Sequence, residues 1–187
     1  MKKIFLLIIA LVCGCMAFAQ EKQETVPESS SKTLEFMKKN GTLIQRDFYP
    51  IGKVKGVDCE VLIITDLISQ KKIGCLRLKT TNSSSYSTDT YIGTLDYDEI
   101  AACIKSINFL NENVIVGKPT VYTEVEYSTR DKVEVGAYYS EKKSKWIAYV
   151  KTKSYSNKSI EFFDASELSQ LVSIMEQAKI VIDEKTR

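Results

Sequence analysis

Acidic side chains recur at two matching places in the sequence: Asp96, Asp98 and Glu99, then Asp164 and Glu167. Paired carboxylates can do general acid–base work, so these are the first candidates for chemistry. Their spacing also has a structural meaning. Asp96 with Glu99, and Asp164 with Glu167, place an acid three residues before Glu and just ahead of an apolar run. That is a helix-capping arrangement, and it accounts for these acids without catalysis. The 187 residues contain no His, which excludes Ser-His-Asp and Cys-His arrangements and removes the commonest metal ligand. The 8 Gly never fall at phosphate-loop spacing. No catalytic residue is assigned; carboxylate-pair and Ser-Lys mechanisms stay formally open.

Of five Cys, Cys59, Cys75 and Cys103 lie beyond the N-terminal apolar segment. An odd number at wide spacing is neither a disulfide framework nor a metal-ligand pattern. They read as buried free thiols, with Cys59 and Cys103 the one pair whose strand and helix faces would allow a bridge. No metal or cofactor is expected. Two strand-turn tips are basic, Gln70-Lys71-Lys72 and Glu141-Lys142-Lys143-Ser144-Lys145. They read as solvated tips, with a double prong for an anionic glycan or lipid head group as the functional alternative.

The elements that would position these residues follow from pattern. Lys2 and Lys3, an apolar run from Ile4 to Val12, and Ala17-Phe18-Ala19 before Gln20 form a secretory signal pattern over residues 1–19. The run is too short for a membrane span, so none is expected. Gly14-Cys15 offers a rival, lipoprotein-type cut that would leave a lipid anchor at Cys15. Cleavage between Ala19 and Gln20 is favoured, giving a periplasmic or secreted protein. Removing residues 1–19 takes away two Lys and leaves 24 basic and 24 acidic residues. A neutral exported chain is a poor nucleic-acid binder.

Residues 20–31 read as a flexible leader and 32–187 as a single α+β domain. A helix at 32–39 is followed by strands at 42–52, 57–66, 72–80 and 89–95. A helix then runs to about Asn111, with Ile100, Cys103, Ile104 and Ile107 on one face. Strands follow at 114–127, 132–139, 145–153 and 159–163. A last helix carries Leu168, Leu171, Val172 and Met175 and reaches about Ile182. The two halves overlay as repeats, about 32–108 and 109–182. Phe36-Met37 matches Phe109-Leu110, Tyr49 matches Tyr122, Glu60-Val61 matches Glu134-Val135, and Lys79-Thr80 matches Lys151-Thr152. The expected fold is two tandem, pseudo-symmetric helix-plus-four-stranded antiparallel meanders with a C-terminal helix.

Hairpins centred on Ser69-Gln70 and Lys142-Lys143 place Glu60 opposite Lys79 and Glu134 opposite Lys151. Alternation then puts Val57, Cys59, Val61, Ile63, Leu76 and Leu78 on one face. Val133, Val135, Ala137, Tyr139, Trp146, Ala148 and Val150 continue that apolar face in the second half. The opposite face carries Leu62, Ile64, Arg77, Tyr138, Ile147 and Tyr149. So many apolar and aromatic groups suggest a cover. Either another part of the chain, such as the leader or loop 81–90, packs there, or these six residues form a recognition surface. The sequence therefore points to an exported, non-catalytic binding or adaptor protein of the bacterial cell envelope. Its partner would be an envelope protein or a small ligand or glycan. The alternatives are an envelope hydrolase using carboxylates or a Ser-Lys pair, and a self-associating structural protein.

Overall fold

A computed structural model describes residues 30–83 and 85–187. The export segment, Cys15 and leader residues 20–29 lie outside the described residues. The element order is α1 (Lys32–Met37), β1 (Ile44–Val54), β2 (Val57–Asp66), β3 (Lys72–Ser83), β4 (Thr88–Asp96) and α2 (Tyr97–Phe109). It continues with β5 (Glu124–Ser128), β6 (Glu134–Ser140), β7 (Lys145–Lys151), β8 (Ile160–Asp164) and α3 (Leu168–Thr186). The strands form two four-stranded antiparallel sheets, β1-β2-β3-β4 and β5-β6-β7-β8. The chain is thus an α+β fold of two sheet units closed by a C-terminal helix. Among the described residues, no helix is long and apolar enough to cross a membrane.

Strand alternation assigns the faces correctly. Val57, Cys59, Val61, Ile63, Leu76 and Leu78 join Val133, Val135, Ala137, Tyr139, Trp146, Ala148 and Val150 in one buried cluster with α2 and α3. Burying each large aliphatic side chain stabilises the fold by roughly 1.5–3 kcal/mol. α3 leaves sheet 2 and returns across sheet 1. Its Ile174 sits beside Gly52, and its Ile182 beside Gly74 and Ile63. The end of α2 meets the other sheet, where Ile107 and Leu110 line a small cleft with Val125, Tyr127 and Val135. α3 therefore seals the neighbouring unit, and α2 packs on its own β3 and β4 with only its end reaching sheet 2.

The first hairpin differs from expectation by two residues. Glu60 lies opposite Arg77, and Val61 opposite Leu76. The cause is Asp66, whose carboxylate accepts from Ile68 N at 3.1 Å and Ser69 N at 3.2 Å. This side-chain turn pulls the loop one residue towards β2. A two-residue change of partner keeps every side chain on its face. Lys79 still reaches Glu60 diagonally at 3.0 Å, while Arg77 pairs with it at 2.9 Å. The second hairpin has the expected register, with Glu134 opposite Lys151.

The strand expected at 114–127 begins only at Glu124. Leu110–Val114 instead forms a π-helical turn that extends α2. Gly117 and Pro119 explain the loss, since Pro cannot donate to a ladder. The Gly117 carbonyl is used elsewhere, accepting from Trp146 Nε1 at 2.8 Å.

Cys59, Cys75 and Cys103 are free and buried. Cys59 and Cys103 share the inner core as expected, without a bridge. Burial pushes all three thiols up to about 12. A disulfide reagent at pH 8 should label none of them in the native state and all three after guanidinium unfolding. Rapid native labelling would contradict this burial.

Some of the matched residues meet across the boundary between units. Thr80 Oγ1 and Thr152 Oγ1 are hydrogen-bonded to each other at 2.8 Å, and the hydroxyl that accepts this bond can donate its own proton to Ser159 O, 3.1 Å from Thr80 and 3.4 Å from Thr152. Gly56 of unit one abuts Glu161 on β8, and Gly93 on β4 abuts Val133 and Thr152 of unit two. These contacts join the two sheet units directly. Other matches are not structural equivalents. Phe36 packs on the outer face, whereas Phe109 is exposed and Leu110 lies in the inner core. Tyr49 packs against the inner core, whereas Tyr122 is exposed.

Candidate functional site

The capping acids are bound up in structure. Glu99 accepts from Asp96 N at 3.0 Å, and Glu167 from Asp164 N at 3.0 Å. The Asp96 carboxylate also holds the start of α1, accepting from Ser31 Oγ, Lys32 N and Thr33 N at 2.8–3.0 Å. Arg130, on the β5–β6 turn, closes this node. Its guanidinium reaches Asp96 at 2.9 Å, Asp98 at 2.5 Å and Glu99 at 3.3 Å. Arg130 and then Lys32 hold the Asp98 carboxyl down at about 2. The cluster is an ion-pair lock between the units. Among the described residues, no group of three metal-ligating side chains converges.

The six expected recognition residues separate into two groups. Leu62 and Ile64 belong to sheet 1, where Phe36 of α1 and Cys75 bury them. The cover is α1 itself rather than loop 81–90. Arg77 stays near the surface, paired with Glu60 and stacked 4.9 Å from the Phe48 ring centre. Leu62 and Arg77 line a groove of about 270 Å³ beside α1.

Tyr138, Ile147 and Tyr149 lie on the outer face of sheet 2. The ladder registers set two rows across it, Glu124–Tyr138–Ile147–Asp164 and Glu126–Gly136–Tyr149–Phe162. Gly136 is essential to the second row. A Cβ there would sit 2.3 Å from Val125 O and 3.0 Å from Glu126 Cα, so only glycine lets the β5 backbone approach this closely. Tyr149 reaches across β6 at this point and donates its hydroxyl to Glu126 on β5 at 2.9 Å. Burial and the two glutamates, Glu124 and Glu126, raise the Tyr149 phenol well above its ordinary value. Tyr149 is only 2% exposed, so it supports the face and does not meet a partner directly. Ile147, at 7%, is equally covered.

Tyr138 is half-buried, and the exposed groups beside it are two residues not expected at this face, Tyr122 and Phe162. Their rings form a chain: Tyr122 to Tyr138 is 6.4 Å, and Tyr138 to Phe162 is 5.9 Å at 79°. Phe162 also meets Tyr149 at 6.2 Å. Tyr122 is 63% exposed and Phe162 49%. Extending the hairpin register from Tyr149 through β8 would have found Phe162. Tyr122, expected within the strand at 114–127, lies on the irregular segment before β5, so strand alternation does not put it on this face.

Charge divides along this face. The β5 margin carries Glu124, bonded to Tyr122 Oη at 3.1 Å, and Glu126. The β8 margin opens into a cleft of about 280 Å³ with Lys55, Lys143 and Lys145 around Phe162. Lys145 pairs with Asp164 at 2.6 Å. The two basic tips do not form a double prong, since Lys72 lines a separate cleft with Tyr97 and Ile182. No protein family, curated protein or solved structure matches this chain.

Proposed function

We propose that this protein is an exported, non-catalytic adaptor of the cell envelope that grips a partner protein with the outer face of sheet 2. The observation that carries the reading is the chain of Tyr122, Tyr138 and Phe162 rings. Rigid amphipathic aromatics at a surface give contact area at low entropic cost. The flanking charges set the partner's chemistry: basic groups over Glu124 and Glu126, acidic groups over Lys143 and Lys55. Export rests on the N-terminal pattern of residues 1–19.

Combining Tyr122→Ser with Phe162→Ser should reduce partner association about tenfold or more, because exposed aromatics are typical interface hot spots. Thermal stability should stay nearly unchanged. Retained association with an intact fold would contradict the reading. A Tyr149→Ala variant is unsuitable, because it would empty a buried site and cost about 3–5 kcal/mol.

The same charge division favours a second reading, self-association. Two copies stacked about an axis parallel to the strands would lay each acidic margin over a basic one. Sedimentation velocity separates the readings: a concentration-dependent dimer abolished by Phe162→Ser supports self-association, and a monomer at all concentrations supports a foreign partner.

A further inference from the structure

The groove on sheet 1 is a separate site, distant in role from the aromatic face. Leu34 and Met37 of α1 form one wall, and Leu62, Ile92 and the Phe48 ring form the floor. Its volume, about 270 Å³, lies just below the usual range for ligand pockets and suits a small ligand. Asp131 and Lys153 of the second unit close one end.

The polar groups around this floor are unequal in sign. Arg46, Arg77 and Lys153 line it against a single carboxylate, Asp131. Asp131 is already engaged by Lys153 Nζ at 3.1 Å, Thr94 N at 2.9 Å and Thr94 Oγ1 at 3.0 Å. Glu60, behind the groove, is shared by Arg77 and Lys79, leaving that trio one positive charge in excess. Arg46 makes no ion pair among the described residues. Counting Lys79 and Glu60 with the lining residues, two positive charges are left uncompensated.

We infer that this groove binds a small anionic amphiphile, a carboxylate carrying a medium-length apolar chain. Guanidinium groups present forked donors that match a carboxylate in two parallel bonds. Among the described residues Arg46 has its full set of donors available, and Arg77 uses one nitrogen on Glu60 while stacking on the Phe48 ring fixes its plane. The apolar chain lies along Leu34, Met37 and Leu62, removing that surface from water. A cationic amphiphile of the same length meets the wrong sign of charge, and a bare anion gains nothing from the floor.

Isothermal titration of the protein as processed by its cell tests this, using decanoate below its micellar concentration. One decanoate should bind per chain, while acetate and decyltrimethylammonium should not. Arg46 is exposed, so Arg46→Gln leaves the fold intact and should weaken decanoate about tenfold. Met37→Glu should abolish binding, with some loss of stability because Met37 packs on the Phe36 cluster, and a cooperative melt confirms that the variant is folded. Absence of decanoate binding overturns the inference. So does equal binding of decyltrimethylammonium, or an affinity unchanged by Arg46→Gln.

Discussion

Replacing Arg130 with methionine is expected to lower the stability of the protein by about 3 kcal/mol. One guanidinium answers three acids there, and Asp96 and Glu99 have side-chain exposures of only 2% and 10%. Removing it leaves carboxylates facing each other in a poorly solvated place, and their repulsion adds to the lost pairing. The figure is set at the low end of the range for buried pairs because Arg130 is itself one-fifth exposed. Chemical denaturation read by circular dichroism gives the number directly.

The same variant changes the acid limb. Asp98 titrates at about 2 when folded, against about 3.9 unfolded. A depressed pKa contributes stability that is complete above pH 4 and lost as pH falls towards 2. Arg130→Met removes the larger part of Asp98's share of that loss, Lys32 keeping the rest, so its stability should fall less steeply over this window. Asp66, held at about 2 chiefly by the Thr42 hydroxyl, and Asp164, held there chiefly by Lys145, keep their shares. The slope is therefore reduced, not abolished. A loss below 0.5 kcal/mol at pH 7, or an unchanged acid limb, would show that the node does not join the units.

Gly93→Ala should be comparably severe, costing about 2–3 kcal/mol. The added methyl would lie 2.2 Å from Val133 Cγ2 and 2.5 Å from Thr152 O. A side-chain tip can rotate away, but a backbone carbonyl cannot. The two sheets must therefore separate at the place where Thr80 and Thr152 meet. Gly41→Ala offers no comparable clash, since nothing lies within 4 Å of its added Cβ, although its φ of +75° carries a smaller backbone strain. A urea midpoint unchanged in Gly93→Ala would mean that the units are not held in register by this contact.

What the sequence revealed depended on how local the cause was. Face assignment needs only strand alternation, so Val57 to Leu78 and Val133 to Val150 were all placed correctly. The caps at Asp96 and Asp164 were visible because their partners are three residues away. The first register failed by two residues because Asp66 reshapes its turn with a side chain, which alternation cannot sense. The roles of Arg130 and Tyr122 are not legible for a different reason. Both act on residues far along the chain: Arg130 on acids more than thirty positions earlier, and Tyr122 on Tyr138. The six recognition candidates shared a face pattern but not a sheet. Only coordinates show that α1 covers Ile64 while Phe162 stays open beside Tyr138.

Photo-crosslinking from position 162 in living cells tests the adaptor assignment most directly. A benzophenone side chain replacing Phe162 should trap one discrete partner protein, and adding Tyr122→Ser should remove that product. A benzophenone at Ile180, an exposed residue on α3, should trap nothing discrete. Equal, diffuse labelling from both positions would contradict the claim that the outer face of sheet 2 is where this protein meets its partner.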